Sequence, residues 1–152
     1  MSEVLRSSVK DKLAAGGVVS SMTVRLAPSV DIVQIIKSAG FDTFYIDLEH
    51  SPLSIETANN LASAALLVGI DCFARVPANT PDYVSRVLDA GCLGVIGPGV
   101  ESADEARAVV EAAKYAPVGK RGVSGALPQT GYRAIPDLYE TVNAATTVMV
   151  MF

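Results

Sequence analysis

Five short apolar segments alternate with helical segments along the chain, and this alternation limits the possible folds more than any other feature. The apolar segments are GVVSSMTV, FDTFYIDLE, IDCFARVP, CLGVIGPGV and TTVMVMF. They are rich in Val, Ile, Phe and Tyr, and several lack the polar alternation of a half-exposed strand, so they predict strands covered on both faces. A repeating β-α-β-α order indicates a parallel sheet with right-handed crossovers.

The segments between these strands carry signals for where helices begin and end. Ser54 and the pair Thr80-Pro81 precede helical segments, and Ser102 with Glu105 has the spacing of a capping box. Three predicted helices end at a glycine that is followed within two residues by the next strand: Gly40, Gly69 and Gly91. Glycine at this position predicts a left-handed helix end that leads into a short loop.

The alternation is interrupted by a Gly/Pro-rich stretch over residues 117–136, before a helix predicted from the segment PDLYETVNAA. A loop of this length inside a compact domain is usually functional or mobile. Lys120 and Arg121 lie within it and are candidates for binding an anion, although a solvated turn is the simpler expectation.

Composition sets the broad class of protein. The 152 residues fit one domain, and a chain that is 50% hydrophobic and 18% charged predicts an extensive core. The net charge of −4 and the lack of a basic run argue against a nucleic-acid partner. Neither a membrane helix nor a signal peptide is indicated, so we expect a cytoplasmic protein without a membrane partner. Cys72 and Cys92 lie in apolar segments, which predicts buried thiols of a reducing compartment.

The densest polar cluster follows the second predicted strand and contains Asp47, Glu49 and His50. Side chains at the carboxyl ends of parallel strands line the functional site of such folds. A histidine can take a proton near neutral pH, and a neighbouring carboxylate fixes its tautomer and raises its basicity. The alternative is a capped strand end in which His50 only bonds backbone groups.

Two further candidates come from the next strand and helix. Arg75 follows the third strand, where an arginine can hold a carboxylate or a developing enolate oxygen, or can form an ordinary surface salt bridge. Asp89 lies on a predicted helix, where it can pair with Arg86, face a partner subunit or simply be solvated. The glycine segments lack nucleotide-binding spacing and the cysteines lack C-x-x-C spacing, so neither a nucleotide site nor a structural zinc site is predicted.

Four segments taken together resemble the HpcH/HpaI aldolase/citrate lyase family, in particular its metal-dependent 4-hydroxy-2-oxoheptanedioate aldolase branch. They are GFDTFYIDLEHSP, FARVPANTP, LDAGCLGVIGPGVESADEAR and YAPVGKRGVSGAL, and their order and spacing match from Gly17 onward. The resemblance implies an α/β fold, a (β/α)8 TIM barrel of the pyruvate/phosphoenolpyruvate type. Residues 1–152 would then be an incomplete aldolase barrel domain with about the first five strands, ending in the fifth.

The resemblance also implies an activity and residue roles. The activity is reversible aldol cleavage of a 4-hydroxy-2-oxo acid to pyruvate, or a related 2-oxo acid, and an aldehyde. His50 would be the catalytic acid/base, with Asp47 beside it, and Arg75 would bind substrate and stabilise the enolate. Asp89 would make the catalytic histidine more basic, from a neighbouring subunit of a homo-oligomer that is usually a hexamer in the family.

A divalent metal, Mg, Mn or Co, is the cofactor that the resemblance implies, yet its protein ligands are expected outside this chain. The family's metal-binding glutamate would follow Phe152, and Met151 stands where the family has a substrate-contacting glutamine. The 152-residue chain alone is therefore expected to be inactive.

Two alternatives remain at this point: a citrate-lyase-like acyl-CoA lyase, and a non-catalytic half-barrel that serves as an interaction module. A loop arginine frequent in the family is also missing, since Pro128 and Gln129 occupy that region. Its absence favours an acceptor without a distal carboxylate.

Overall fold

The computed structural model describes residues 5–152, which form one parallel β-sheet and the helices around it. The strands are β1 (Ser21–Val24), β2 (Thr43–Asp47), β3 (Asp71–Arg75), β4 (Gly94–Gly97) and β5 (Thr147–Val150). The α-helices are α1 (Ser8–Ala14), α2 (Asp31–Ser38), α3 (Ile55–Val68), α4 (Pro81–Asp89), α5 (Ala103–Ala113) and α6 (Leu138–Ala145), and a short 3-10 turn spans Pro128–Thr130.

All neighbouring strands are parallel, and their spatial order β1-β2-β3-β4-β5 is also their order along the chain. Because crossovers are right-handed, a sheet that never reverses its strand order places successive crossover helices on one face. A doubly wound sheet needs a reversal of strand order, and this sheet has none. The order therefore has the topology of a barrel segment, in agreement with the expected fold class.

The main core fills the space between the sheet and helices α2 to α5. Phe44 and Ile46 of β2 and Cys72 and Ala74 of β3 face these helices and are almost fully buried. The facing helical residues include Val33, Ile36, Leu61, Val84, Val87, Leu88 and Val109. Since alternate residues of a strand point to opposite faces, Tyr45, Asp47, Phe73 and Arg75 lie on the other face.

Helix α1 covers part of this second face, at the amino ends of the strands. Val9 of α1 packs with Phe73 and Leu93 in a smaller cluster. The buried carboxylate of Asp71 accepts hydrogen bonds from the Ser7 hydroxyl and from the Val9 backbone N–H at 2.5 and 3.1 Å. Asp71 therefore ties the start of α1 to the start of β3.

The predicted helix boundaries agree closely with the structure. Ser54 accepts a hydrogen bond from Thr57 N–H, and Thr80 precedes Pro81 at the first position of α4. The three glycines expected to end helices, Gly40, Gly69 and Gly91, all have positive φ. The capping box is altered, because Glu105 Oε2 accepts from the N–H of Glu101 rather than from that of Ser102.

Other expectations need correction or lie partly outside the described residues. The last helix begins at Leu138, two residues later than its predicted start. Helix α1 lies in the N-terminal segment, and residues 1–4 lie outside the part that the structure describes. Cys72 and Cys92 are buried free thiols with their sulfur atoms 3.9 Å apart, as expected. Between residues 5 and 152, no helix is long and apolar enough to cross a membrane.

Candidate active site at the carboxyl ends of the strands

Asp47 is the centre of a charged network at the carboxyl ends of β1, β2 and β3. It is the last residue of β2 and is fully buried, and its register partner in β3 is Arg75. Arg75 donates to both carboxylate oxygens of Asp47, from Nε at 3.1 Å and from Nη2 at 2.7 Å. This two-point pairing fixes both side chains, because a guanidinium and a carboxylate match in planar geometry.

The same carboxylate shapes the turn that carries His50. Asp47 Oδ1 accepts hydrogen bonds from the backbone N–H groups of Glu49 and His50 at 3.0 and 3.1 Å. Ser51 donates its hydroxyl to the Asp47 carbonyl, which closes the turn from the other side. An aspartate that bonds the backbone two and three residues on is typical of a tight turn after a strand. The segment D-L-E-H therefore holds its own conformation through Asp47.

These contacts keep Asp47 ionised. Burial by itself would raise the pKa of Asp47, but the hydrogen bonds from Arg75 and from the His50 and Glu49 N–H groups outweigh it, so the pKa lies below its ordinary value. The pKa of Arg75 is raised, chiefly by its hydrogen bond to Asp47. Both groups are charged at neutral pH, and the network keeps a fixed positive guanidinium beside the turn.

Glu49 links Arg75 to the imidazole of His50. Its Oε2 lies 3.1 Å from Arg75 Nη1 and 3.6 Å from His50 Nε2. The His50 side chain is 63% exposed, whereas that of Arg75 is 13% exposed. A solvent-accessible imidazole beside a carboxylate and a guanidinium can exchange protons with a bound molecule. Within residues 5–152 the hydrogen bonds of His50 are made by its backbone N–H and carbonyl, and its imidazole is left accessible beside Glu49.

Two residues beyond the predicted set complete this edge of the sheet. Met151 Sδ lies 3.9 Å from Arg75 Nη1. Met151 stands where the resemblance implies a substrate-contacting glutamine in the family, so this position lies beside Arg75. Arg25 lies on the other side of Asp47, with its Nε 3.2 Å from Asp47 Oδ2. Arg25 is not among the residues predicted from the sequence, although it follows the apolar strand β1 just as Arg75 ends the apolar strand β3.

Asp89 is the one predicted site residue that the chain does not bring into this network. It ends α4, and its Oδ1 accepts a 2.6 Å hydrogen bond from Arg121 Nη2. The pairing with Arg86 that the helix spacing allowed is not formed in the described residues. The Asp89 side chain is 37% exposed, so an oxygen remains available to another molecule.

The expectation of a solvated turn at Lys120-Arg121 is wrong for Arg121. Its side chain is 1% exposed and its guanidinium stacks on the ring of Tyr115, 4.7 Å from the ring centroid. A charged group is buried at this depth only when it is paired, and Asp89 supplies the pair. Lys120, by contrast, is 80% exposed and pairs with Glu111. Arg121 thereby fastens the long loop to α4.

Residues 5–152 do not form a metal centre by themselves. Within them, no group of three or more His, Cys, Asp or Glu side chains is placed to hold a metal ion. The carboxylates of Asp47 and Glu49, the closest candidates, are engaged by guanidinium groups. The described residues therefore do not fit a metal site without ligands from elsewhere.

A parallel sheet in sequential order, with charged side chains gathered at the strand carboxyl ends, is typical of barrel-type α/β proteins. The particular family follows from comparison with known proteins. The family model for HpcH/HpaI aldolase/citrate lyase matches residues 22–152, and the chain belongs to this family.

Individual relatives agree with this assignment. The chain is 38% identical to 4-hydroxy-4-methyl-2-oxoglutarate aldolase tasA of Hapsidospora irregularis, over 92% of this chain and 54% of that protein. It is 33% identical to 4-hydroxy-2-oxo-heptane-1,7-dioate aldolase of Salmonella arizonae, over 96% of this chain and 56% of that protein. The chain thus spans about half the length of the curated relatives it matches.

Solved structures show the same fold. The crystal structure of an HpcH/HpaI aldolase from Desulfitobacterium hafniense DCB-2 superposes with a TM-score of 0.88 at 35% identity, covering 93% of this chain and 55% of that one. The citrate synthase SbnG superposes with a TM-score of 0.83 at 27% identity, covering 97% and 56%. The expected fold class and family are both confirmed.

Proposed function

We propose that the complete protein is a carbon-carbon lyase that cleaves a 4-hydroxy-2-oxo acid reversibly, giving pyruvate or a related 2-oxo acid and a second carbonyl compound. The observation that carries this proposal is the exposed imidazole of His50 beside the Glu49–Arg75–Asp47 network. Membership of a family whose relatives include named aldolases supports the reaction class.

His50 is the acid/base of this proposal. During cleavage it accepts the proton of the C4 hydroxyl, directly or through a water molecule, while the C3–C4 bond breaks. During condensation it returns that proton. General acid/base catalysis requires an imidazole that reaches bound substrate, and a 63% exposed side chain meets this requirement. Glu49 is placed to orient the ring, since its carboxylate lies 3.6 Å from Nε2.

Arg75 stabilises the negative charge that develops on the oxygen of the departing enolate. Its donors are held in place by Asp47 before substrate arrives, so little reorganisation is needed in the transition state. Nη1 lies 3.1 Å from Glu49 Oε2 and 3.9 Å from Met151 Sδ. Substrate oxygen would replace Glu49 as its partner.

We propose a divalent ion, Mg, Mn or Co, as the cofactor, because the chain resembles the metal-dependent aldolase branch of its family. When bound, such an ion acts as a Lewis acid on a carbonyl group. Its protein ligands would come from chain that follows residue 152. On this proposal, residues 1–152 are the first part of a longer aldolase barrel domain and are inactive alone. The roles given to His50 and Arg75 are confined to proton transfer and charge stabilisation.

The remaining properties are proposed on the family resemblance. We propose a cytoplasmic homo-oligomer, in which Asp89 reaches the His50 of a neighbouring subunit and raises its basicity. Its half-exposed carboxylate is compatible with this role, although Arg121 already occupies one oxygen. The partners are small 2-oxo acids and carbonyl compounds, without nucleic acid or membrane.

The proposal is tested by pyruvate release from a 4-hydroxy-2-oxo acid in the complete protein supplied with Mg²⁺, Mn²⁺ or Co²⁺. The His50→Ala variant should lose about 10²–10⁴-fold in turnover, as expected when a general base is removed. Arg107→Ala is the matched control, because Arg107 is exposed on α5 and, within residues 5–152, pairs only with Asp104. Unchanged pyruvate release in His50→Ala would refute the acid/base role.

The alternatives give different results in the same assay. A citrate-lyase-like enzyme would form or cleave an acyl-CoA, and the structural similarity to the citrate synthase SbnG makes this control worthwhile. A non-catalytic interaction module would release no pyruvate with Mg²⁺, Mn²⁺ or Co²⁺. The names of the relatives do not determine the substrate of this protein. The 4-hydroxy-4-methyl-2-oxoglutarate of one name carries its second carboxylate on carbon 4, whereas the 4-hydroxy-2-oxo-heptane-1,7-dioate of the other carries it on the terminal carbon.

A further inference from the structure

Arg25 lies at the same level of the sheet as Asp47 and Arg75. It directly follows Val24, whose register partner in β2 is Ile46, the residue before Asp47. Val24 packs into the helix-covered core, so the next residue points to the opposite face, where the charged network lies. The buried carboxylate of Asp47 therefore has a guanidinium on each side, at 3.2 Å from Arg25 and 2.7 Å from Arg75.

Arg25 is also attached directly to His50. Its Nε and Nη2 atoms donate to the His50 backbone carbonyl at 3.1 and 2.5 Å. The guanidinium is thereby held next to the residue that takes up the proton of the C4 hydroxyl.

The two guanidinium groups differ in how many donors they have left. Arg75 uses Nε, Nη1 and Nη2 on Asp47 and Glu49, and its side chain is 13% exposed. Arg25 uses Nε and one hydrogen of Nη2, and across residues 5–152 no acceptor contacts its Nη1. Its side chain is 54% exposed. Arg25 therefore offers unused, accessible donors in the planar arrangement that matches a carboxylate.

The charges of the network explain why such donors matter. Asp47 and Glu49 carry two negative charges that Arg25 and Arg75 balance, so the site has no net positive charge of its own. A substrate carboxylate placed near His50 would meet the Glu49 carboxylate and would be repelled unless a guanidinium with free donors held it. Arg25 is the guanidinium that contacts the His50 backbone carbonyl and has free donors.

We propose that Arg25 binds the carboxylate attached to carbon 4 of the hydroxy-oxo acid, so that the preferred substrates cleave to two 2-oxo acids instead of a 2-oxo acid and an aldehyde. This assignment rests on the proposed aldolase function. The C3–C4 bond breaks and its electron pair stays on C3 as the enolate. The hydroxyl proton passes to His50, C4 becomes the ketone of the second oxo acid, and C3 then takes a proton. The step needs no oxidant or reductant.

Two substrates that differ at carbon 4 test the assignment. In the complete protein, pyruvate release is measured from 4-hydroxy-4-methyl-2-oxoglutarate, which carries the C4 carboxylate, and from 4-hydroxy-2-oxopentanoate, which lacks it. Arg25→Ala should lower kcat/KM for the first substrate by about 10–100-fold, the effect of losing hydrogen bonds to a charged group. The second substrate should change by less than about threefold, and Arg25→Lys should restore part of the loss, because it keeps the charge but not the fork.

Two further measurements separate substrate binding from a purely structural role. Exchange of the pyruvate methyl protons with deuterated water follows enolate formation without any acceptor, and Arg25→Ala should slow this exchange far less than it slows cleavage of 4-hydroxy-4-methyl-2-oxoglutarate. Arg107→Ala serves as the control for removing an exposed arginine. Equal losses on both substrates, or loss of proton exchange, would show that Arg25 only positions His50 and would overturn the assignment.

The remaining outcomes are also decisive. The wild-type protein could cleave 4-hydroxy-2-oxopentanoate and 4-hydroxy-4-methyl-2-oxoglutarate at equal rates, and Arg25→Ala could leave both rates unchanged. This result would overturn the Arg25 assignment but not the aldolase function. A wild-type protein that cleaves neither substrate and exchanges no pyruvate protons would overturn the aldolase function and, with it, the assignment.

Discussion

Asp47 and Arg75 face each other as register partners of neighbouring parallel strands and form a two-point ion pair at 3.1 and 2.7 Å. Asp47 has no solvent exposure, and it also holds the turn that carries His50 and contacts Arg25. One carboxylate thus positions both the guanidinium and the imidazole of the site. This coupling means that changes at Arg75 and Asp47 should affect chemistry and stability together.

Arg75→Lys should lower turnover more than apparent substrate affinity. Lysine keeps the charge but cannot donate to Asp47 and Glu49 in one plane, so its ammonium would not be held where the enolate oxygen forms. We expect a loss in kcat of about 10²-fold, measured by steady-state pyruvate release. A change in KM alone would show that Arg75 binds only the ground state. Arg107→Lys on α5 is the control.

Asp89→Asn should shift the pH dependence of cleavage if the carboxylate supports His50 of a neighbouring subunit. Without that carboxylate the imidazole is less basic, so the acidic limb of the kcat/KM profile should move to lower pH while the plateau rate falls roughly tenfold. If Asp89 serves only to pair with the buried Arg121, the variant will lose stability and keep its pH profile. The two readouts separate these roles.

Asp42→Asn should weaken the fold at neutral pH and have less effect in acid. The Lys12 ammonium and the N–H and hydroxyl of Ser20 lower the pKa of Asp42 from 3.8 to about 2. A folded-state pKa below the unfolded value means that this stabilisation is complete above the unfolded pKa and is lost as the pH falls toward 2. Denaturant titrations of both proteins across about pH 7 to pH 2 should converge at the acidic end. A constant difference at every pH would contradict this linkage.

Gly94→Ala should destabilise the sheet by about 1–3 kcal/mol, the usual effect of overpacking a core. An added Cβ would lie 2.6 Å from Phe73 Cδ1 and 2.7 Å from the Thr147 carbonyl oxygen. The carbonyl belongs to the neighbouring strand and cannot move aside without disturbing the β4–β5 pairing. Gly122→Ala is the matched control, since its Cβ would meet nothing within 4 Å. Equal free energies of unfolding for the two variants would exclude the steric explanation.

Local sequence signals determined the elements of this protein and much of its candidate site. Apolar segments became strands, and Ser54, Thr80 and three glycines marked where helices begin or end. His50, Asp47 and Arg75 could be predicted to lie together because parallel strands bring their carboxyl ends to one edge. These inferences depend on contacts within a few residues or on the regular geometry of a sheet.

Only the tertiary structure decided which long-range partners the charged groups have. Arg25 meets the His50 carbonyl across 25 residues, and Arg121 meets Asp89 across 32. Nothing in the local pattern indicates such pairs, because a long arginine side chain bonds whichever acceptor the packing of distant segments brings within reach. A buried charged side chain must have a partner of opposite charge, since an unpaired charge in the interior is strongly unfavourable. The sequence alone therefore predicted the edge of the sheet where the chemistry lies, and the fold determined which charges meet there.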